Sequence, residues 1–526
     1  MDCRPDLNVR HINATCVALM AFVLGLGFGS FANAFEFEVE YTADAHQGPY
    51  SGRVYLFFDI PGGEPRAGAS TLRPKPVVAL DVHDWMPHQK LTINSGMPGL
   101  MSFPKPLEEL PIDGMHVQAV ARFHHFSRVA ATGAGNGCSG VETCRNRGPV
   151  SLTINQIIEG QPFPETESRH LLEVKSPQLS KFHQRDVIMR AGVLLPPSYA
   201  TSPQRRYPVL ISVPGFSGTH FEVARWKQNS LVAANGTEFI LVIPDPSCPL
   251  GHHCFADSAN NGPWGTAFVE EFIPQLDTAF RTDARPQARF LTGHSSGGWS
   301  SLWLQVAYPN DFGGTWSTSP DPVTFVDFQR INLYADANMY WDEHGERRPL
   351  ARRQGQPFLW YEDFASYEHI LGYGEQLHSF EAVFSPAVSV ATPLDPTAVQ
   401  NAIPAPNSTR PQPLWNWETG EIDHSVAQAW KKYDIVHLLE SDDALRNQLR
   451  GKLTVIMGTA DTFYLEGATR ILQESMQRLN SDARIELVPG KTHFDLLDGA
   501  LRSRIINEMA TKYQSQQNGA AAPSSN

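Results

Sequence analysis

Residues 289–298 read Arg-Phe-Leu-Thr-Gly-His-Ser-Ser-Gly-Gly, and few folds can accept that stretch. An apolar run, Phe290-Leu291-Thr292, leads into Gly293-His294-Ser295-Ser296-Gly297. Trp299, Leu302, Trp303, Val306 and Ala307 then recur at helical spacing. The pattern predicts a strand, a sharp turn and a helix, with Ser295 at the apex, which is the sequence form of a nucleophile elbow. The glycines are needed because the nucleophile's backbone is strained and flanking side chains would collide across the turn.

A serine hydroxyl is a poor nucleophile at neutral pH, so the elbow makes demands on the rest of the chain. It needs a histidine as general base, and that base needs an orienting carboxylate. In sheets that carry such an elbow the partners follow in the order serine, acid, histidine. His493 lies in the loop Val488-Pro-Gly-Lys-Thr-His-Phe494 after the last expected strand, and it is the one histidine beyond the strand Leu453 to Met457. Asp461 leaves that earlier strand in a glycine-containing turn, Gly458-Thr-Ala-Asp461, and is the favoured acid. Asp321, in Ser319-Pro-Asp-Pro322, is the alternative. The oxyanion needs two backbone N–H donors. Ser296 supplies one at the start of the helix. The loop Val213-Pro-Gly-Phe-Ser-Gly218 supplies the other, through Phe216 or, alternatively, Gly215; Pro214 has no N–H.

The chain around these residues divides by pattern. With 526 residues it exceeds a typical single core and implies two domains plus insertions. From Phe35 to about residue 165 the runs are β-like: Phe35-Glu-Phe-Glu-Val-Glu-Tyr41 alternates, and 53–58, 77–80, 90–93, 116–122 and 150–154 continue the pattern. A small antiparallel sandwich is expected, with a structural or carbohydrate-contacting accessory role. From residue 166 to 513 strands and helices alternate, which implies a mostly parallel sheet with helices on both faces. Helices are expected over 221–235, 267–280, 466–479 and 494–513. An insertion, 322–445, holds Trp341, Phe358, Trp360, Tyr361, Phe364, Tyr373, Trp415, Trp417 and Trp430. Its place after the sheet strands makes it a lid or pocket wall, with at least half of these aromatics forming its own core. The polar tail 514–526 is expected to be disordered.

The chain's beginning points to export. Arg4 and Arg10 precede an apolar run from Ala14 to Phe31, and Ala32-Asn33-Ala34 offers small residues for cleavage after Ala34. The expected location is secreted or periplasmic, with no integral membrane segment once residues 1–34 are removed. Four of the six cysteines remain beyond that point, and Cys138/Cys144 and Cys248/Cys254 are expected to form two local disulfides. No metal site is expected at His252-His253, because that cysteine spacing does not suit zinc. Asn235-Gly-Thr237 and Asn407-Ser-Thr409 match glycosylation acceptors. A net charge of −13 argues against a nucleic-acid partner.

Taken together, Tyr207-Pro-Val-Leu-Ile-Ser-Val-Pro-Gly215, Gly293-His-Ser-Ser-Gly-Gly298, Ala307-Tyr-Pro-Asn-Asp-Phe312, Gly458-Thr-Ala-Asp461 and Gly490-Lys-Thr-His493 carry a family resemblance. Val187 to Tyr513 resembles the esterase D or putative-esterase branch of the α/β-hydrolases, which includes enterochelin-esterase-like, feruloyl and acetyl-xylan esterase-like members. Pro214 stands where a histidine often precedes the oxyanion-loop glycine, and the insertion is longer than in compact members. The resemblance implies an α/β-hydrolase fold and cleavage of a small-molecule or polysaccharide-linked carboxylic ester. It implies no cofactor. An acyltransferase or peptidase using the same triad is the alternative enzyme. A binding or cell-surface protein on a hydrolase scaffold is the alternative of another class.

Overall fold

The computed structural model describes residues 35–145, 148–389 and 409–521. The expected leader and the acceptor Asn407 lie outside them. Among the described residues no helix is long and apolar enough to cross a membrane.

Eight strands form the central sheet, in the order Arg169–Lys175, Ile188–Leu194, Ile240–Pro244, Val209–Val213, Arg289–His294, Gly314–Thr318, Leu453–Gly458, Arg484–Val488. The first two pairings are antiparallel and the rest parallel. The parallel strands are apolar on both faces because helices cover both. Val209, Ile211 and Leu291 point to one side, where they meet Phe268, Phe272, Leu276 and Leu304. Leu210, Leu241, Phe290 and Ile456 point to the other, against Ile505, Ile506 and Met509.

The helices differ from expectation in three places. Residues 221–235 form two short 3-10 turns, His220–Arg225 and Gln228–Leu231, separated by extended Trp226. The helix near 267–280 contains a π turn over Phe268–Phe272, followed by Ile273–Ala279. Pro274 has no N–H to give the carbonyl one turn back, and the wider turn absorbs that loss. The last helix starts at Gly499, capped by Asp498 through the Leu501 N–H, and runs to Ala521. The tail expected to be disordered is therefore helical from 514 to 521. Gln514 and Gln517 fasten it, donating to Thr237 and Asp283.

The N-terminal region is all-β, but its nine strands join one sheet. Phe37–Tyr41 pairs in parallel with Val150–Ile157, and the other pairings are antiparallel. The inner face closes over Phe37, Val39, Tyr41, Leu56 and Leu152. The outer face, with Tyr55, Phe57, Val77 and Val120, packs on the insertion helix Tyr361–Leu371 through Tyr367, Ile370 and Leu371. Polar contacts lock this seam. Buried Arg53, paired with Asp81, donates to the carbonyls of His369 and Ile370. Tyr55 Oη donates to Leu371 O, and Arg122 to Tyr373 O. These carbonyls end a helix and have no partner one turn further on, so the sheet caps them.

Neither expected disulfide is present: Cys138, Cys144, Cys248 and Cys254 are buried free thiols. Cys138 faces the outer core of the sheet and Cys144 the inner one. Cys248 packs with Trp264 and Phe268, whereas Cys254 packs with Trp299. Each pair is thus split between two cores. Burial pushes the Cys144 and Cys248 thiols up to about 12, so they stay protonated.

The insertion's aromatics mostly build structure. Trp299 and Trp303, one turn apart on the helix Ser296–Ala307, stack at 5.3 Å. Phe384 lies 5.1 Å from Trp299, and Tyr433 5.4 Å from Trp303. Tyr361, Phe364, Trp415 and Trp430 belong to the same core. Of the nine aromatics singled out in the sequence, Phe364 alone lines the pocket described next.

Candidate active site

The strand Arg289–His294 ends where Ser295 takes φ 60° and ψ −128°, and the helix Ser296–Ala307 begins at once. This backbone is costly for serine and is held from outside, for the Ser295 N–H donates to Thr318 O at 3.1 Å. A Cβ on Gly297 would lie 2.1 Å from Val213 O, so no other residue fits there. Across the turn, a Cβ on Gly215 would lie 3.5 Å from that of Ser295, which brings the loop after Val209–Val213 against the serine. Among the described residues neither the Phe216 N–H nor the Ser296 N–H has an acceptor. Both expected oxyanion donors are therefore unengaged beside Ser295.

His493 and Asp461 meet. His493 Nδ1 lies 2.8 Å from Asp461 Oδ2, with the two side chains 4% and 0% exposed. The Phe463 N–H donates to the other Asp461 oxygen at 2.8 Å, and Arg352 Nε donates to the Asp461 carbonyl at 2.9 Å. Phe463 and Phe494 flank the imidazole. Asp321 is elsewhere engaged: it accepts from Ser296 Oγ and is within hydrogen-bonding reach of Ser295. Among the described residues no hydrogen bond joins Ser295 Oγ to His493, although both line one cavity of about 670 Å³.

Burial raises Asp321 to about 6. Its neutral form is favoured in the folded chain, so this group stabilises the fold fully below its ordinary value of 3.8 and loses that contribution as pH rises through about 6. Asp321→Asn, which cannot ionise, is therefore expected to be more stable than wild type at pH 8 by up to about 3 kcal/mol, with the gap closing near pH 4. Urea unfolding at the two pH values checks this; a gap that is constant or widens on acidification counts against it.

Two histidines support the site in ways the sequence did not signal. His294 Nε2 lies 2.9 Å from His493 O, so the elbow itself holds the loop that carries the imidazole. Burial drives His294 down to about 3 and keeps it neutral. His252, driven down to about 4, donates from Nε2 to Pro214 O and accepts at Nδ1 from the Cys254 N–H. It pins the oxyanion loop from a distant segment, where a histidine preceding Gly215 is absent. Adjacent His253 accepts the Phe255 N–H and stacks on Trp264 at 3.8 Å.

The cavity walls were the least legible part. The insertion contributes Gln329, Glu375 and Gln376, and the N-terminal sheet region contributes Ala69 to Leu72, Arg128 and Val129. The region expected to have a structural or carbohydrate-contacting accessory role thus forms one wall. A larger recess of about 880 Å³ lies between Arg484–Val488 and the final helix, but no histidine lines it.

A mostly parallel sheet with helices on both faces and a positive-φ serine at a strand–helix turn defines an α/β-hydrolase. Residues 186–495, more than half of the chain, match the family model described as Putative esterase, and the chain belongs to that family. It is a carboxylic-ester hydrolase. A ferulic acid esterase is similar at 14% identity and TM-score 0.40, covering 66% of this chain and 98% of its own. An S-formylglutathione hydrolase from Agrobacterium tumefaciens is similar at 14% identity and TM-score 0.37, covering 66% and 94%. A fluorophosphonate-binding serine hydrolase of Staphylococcus aureus is similar at 15% identity and TM-score 0.38, covering 66% and 98%. No curated protein matches the chain.

Proposed function

We propose that the chain is an exported serine esterase working through Ser295, His493 and Asp461. The observation that carries this reading is His493, held by buried Asp461, sharing one cavity with a positive-φ serine that stands beside two unengaged N–H groups. A turn of the Ser295 hydroxyl from Asp321 towards His493 Nε2 starts the reaction. His493 takes the proton as Ser295 Oγ attacks the ester carbonyl. The Phe216 and Ser296 N–H groups hold the oxyanion, and Asp461 stabilises the imidazolium. The C–O bond breaks, and His493 passes its proton to the departing alkoxide. Water then attacks the acyl-Ser295, giving its proton to His493. Collapse releases the acid and restores the serine.

Export rests on the basic start, the apolar run and the Ala32-Asn33-Ala34 site. One experiment addresses both claims. Protein recovered from the culture medium or periplasm is treated with a fluorophosphonate probe and mapped by mass spectrometry. The expected result is one adduct, on the Ser295 peptide, in a chain that begins at Phe35. A folded protein that is not labelled removes the serine mechanism; a cell-retained chain keeping residues 1–34 removes export.

A further inference from the structure

Arg128 stands out among the charges of the catalytic cavity. Its guanidinium lies over the ring of Phe216 at 5.1 Å, next to the loop that offers the oxyanion donor. Among the described residues it has no ion pair at contact distance and no acceptor for its guanidinium N–H groups, although it lines the cavity. The other guanidinium groups here are occupied. Arg225 lies 3.6 Å from Glu222, the carboxylate that Arg502 also faces. Arg122 donates to the carbonyls of Tyr373 and Ser127.

The charges near Arg128 do not balance it. Glu375 is the first carboxylate that it feels, and Glu375 is shared with Arg122, so two cations face one anion. Asp245, the next, is held by His220 Nδ1 at 2.6 Å and by the Ser247 N–H. Burial pulls the Arg128 guanidinium below its ordinary value, as expected for a desolvated cation that lacks a full counter-charge.

The backbone that carries Arg128 is also held in place. Arg122 ties Ser127 to Tyr373 on either side of the seam, and the Asn136 amide donates to the carbonyls of Val129 and Ala130. Gly374 packs so closely that a Cβ on it would lie 2.0 Å from Arg128 O. An arginine carried on a held backbone and lining a cavity suits bidentate binding of a carboxylate through its planar fork.

We propose that Arg128, delivered by the N-terminal sheet region, binds a carboxylate on the substrate and makes the enzyme selective for anionic esters. The proposal rests on the Ser295–His493–Asp461 reading. It turns the N-terminal region from a support into a substrate-reading part of the active site.

The test is a ratio of kcat/KM for matched anionic and neutral esters, so that any general loss of activity cancels. One arm places the carboxylate on the acyl side, comparing the 4-nitrophenyl monoester of glutarate with 4-nitrophenyl pentanoate. The other places it on the alcohol side, comparing the acetyl esters of 4-hydroxybenzoate and 4-hydroxybenzamide. Wild type is expected to favour the anionic ester by about 10- to 100-fold in one arm, which identifies the side. Arg128→Gln is expected to bring that ratio near one, and Arg128→Lys to keep part of it. A wild-type ratio near one in both arms, or a preference that survives Arg128→Gln, overturns the proposal. If Arg128→Gln does not fold, the wild-type ratio and Arg128→Lys still decide, because a lysine that preserves the whole preference removes the role of the fork. Wild type that hydrolyses none of the four esters sinks the esterase mechanism, and this proposal with it, by a distinguishable route.

Discussion

Ser295→Ala is expected to lower kcat for a short-acyl aryl ester by about a hundred-thousand-fold to a million-fold, with KM within about threefold of wild type. The reason is local. The substitution removes one oxygen and leaves the Cβ, so the elbow backbone, the cavity and the two N–H donors persist. Binding survives while the covalent step is lost. His493→Ala is expected to cost a similar factor, and the double variant little more, because nucleophile and base act as one unit. What remains should be the contribution of the oxyanion donors and of binding alone. Steady-state kinetics on purified variants, with circular dichroism to show that each is folded, reads this directly. Hydrolysis unchanged in Ser295→Ala would sink the mechanism.

The second large effect separates the two aspartates. Asp461→Asn is expected to reduce kcat by about ten-thousand-fold, because an amide cannot hold His493 in the tautomer that leaves Nε2 free to accept a proton. Asp321→Asn is expected to cost less than about tenfold. Its carboxyl meets Ser296 Oγ and not His493, and an asparagine carbonyl can accept the same hydroxyl. Kinetics on the two single variants with one substrate suffices. The reverse order of effects would transfer the orienting role to Asp321.

How far this could be read from the chain depended on whether the information was local. The elbow was legible because a strained serine needs glycines within two residues, and these are contiguous in sequence. His493 and Asp461 were legible because chain order and strand ends restrict where they can stand. The supporting histidines were not. His294 is an internal residue of the elbow motif whose partner is a carbonyl 199 residues away. His252 reaches back to Pro214 across a fold that no spacing encodes. Composition misled in two places. The cysteine spacing fits a disulfide, but adjacent strands and turns send the thiols to separate cores. The polar residues after Tyr513 look like a tail, yet Thr237 and Asp283 give them partners. The insertion reads as a lid or pocket wall with at least half of its aromatics in its own core, but which of them reaches the cavity is not legible, because periodicity cannot tell a side chain that faces a ligand from one that faces the elbow helix. Arg128 gave no signal, since a lone arginine in a loop of an all-β region has nothing in its neighbourhood to mark it.

The seam between the N-terminal sheet and the helix Tyr361–Leu371 also has a consequence in time. Arg53 and Tyr55 leave the ribosome more than 300 residues before the carbonyls they cap. The inner core of the sheet can close early, since its strands all lie within the first part of the chain. Its outer face cannot: Tyr55, Phe57, Val77 and Val120 have no cover until the insertion arrives. At usual synthesis rates that interval is tens of seconds. Through it the nascent chain carries an apolar, strand-based surface of the kind that invites wrong pairing. The long-range latch that completes the catalytic cavity is thus also the late step of assembly, and it makes this enzyme a natural client for holding factors during synthesis.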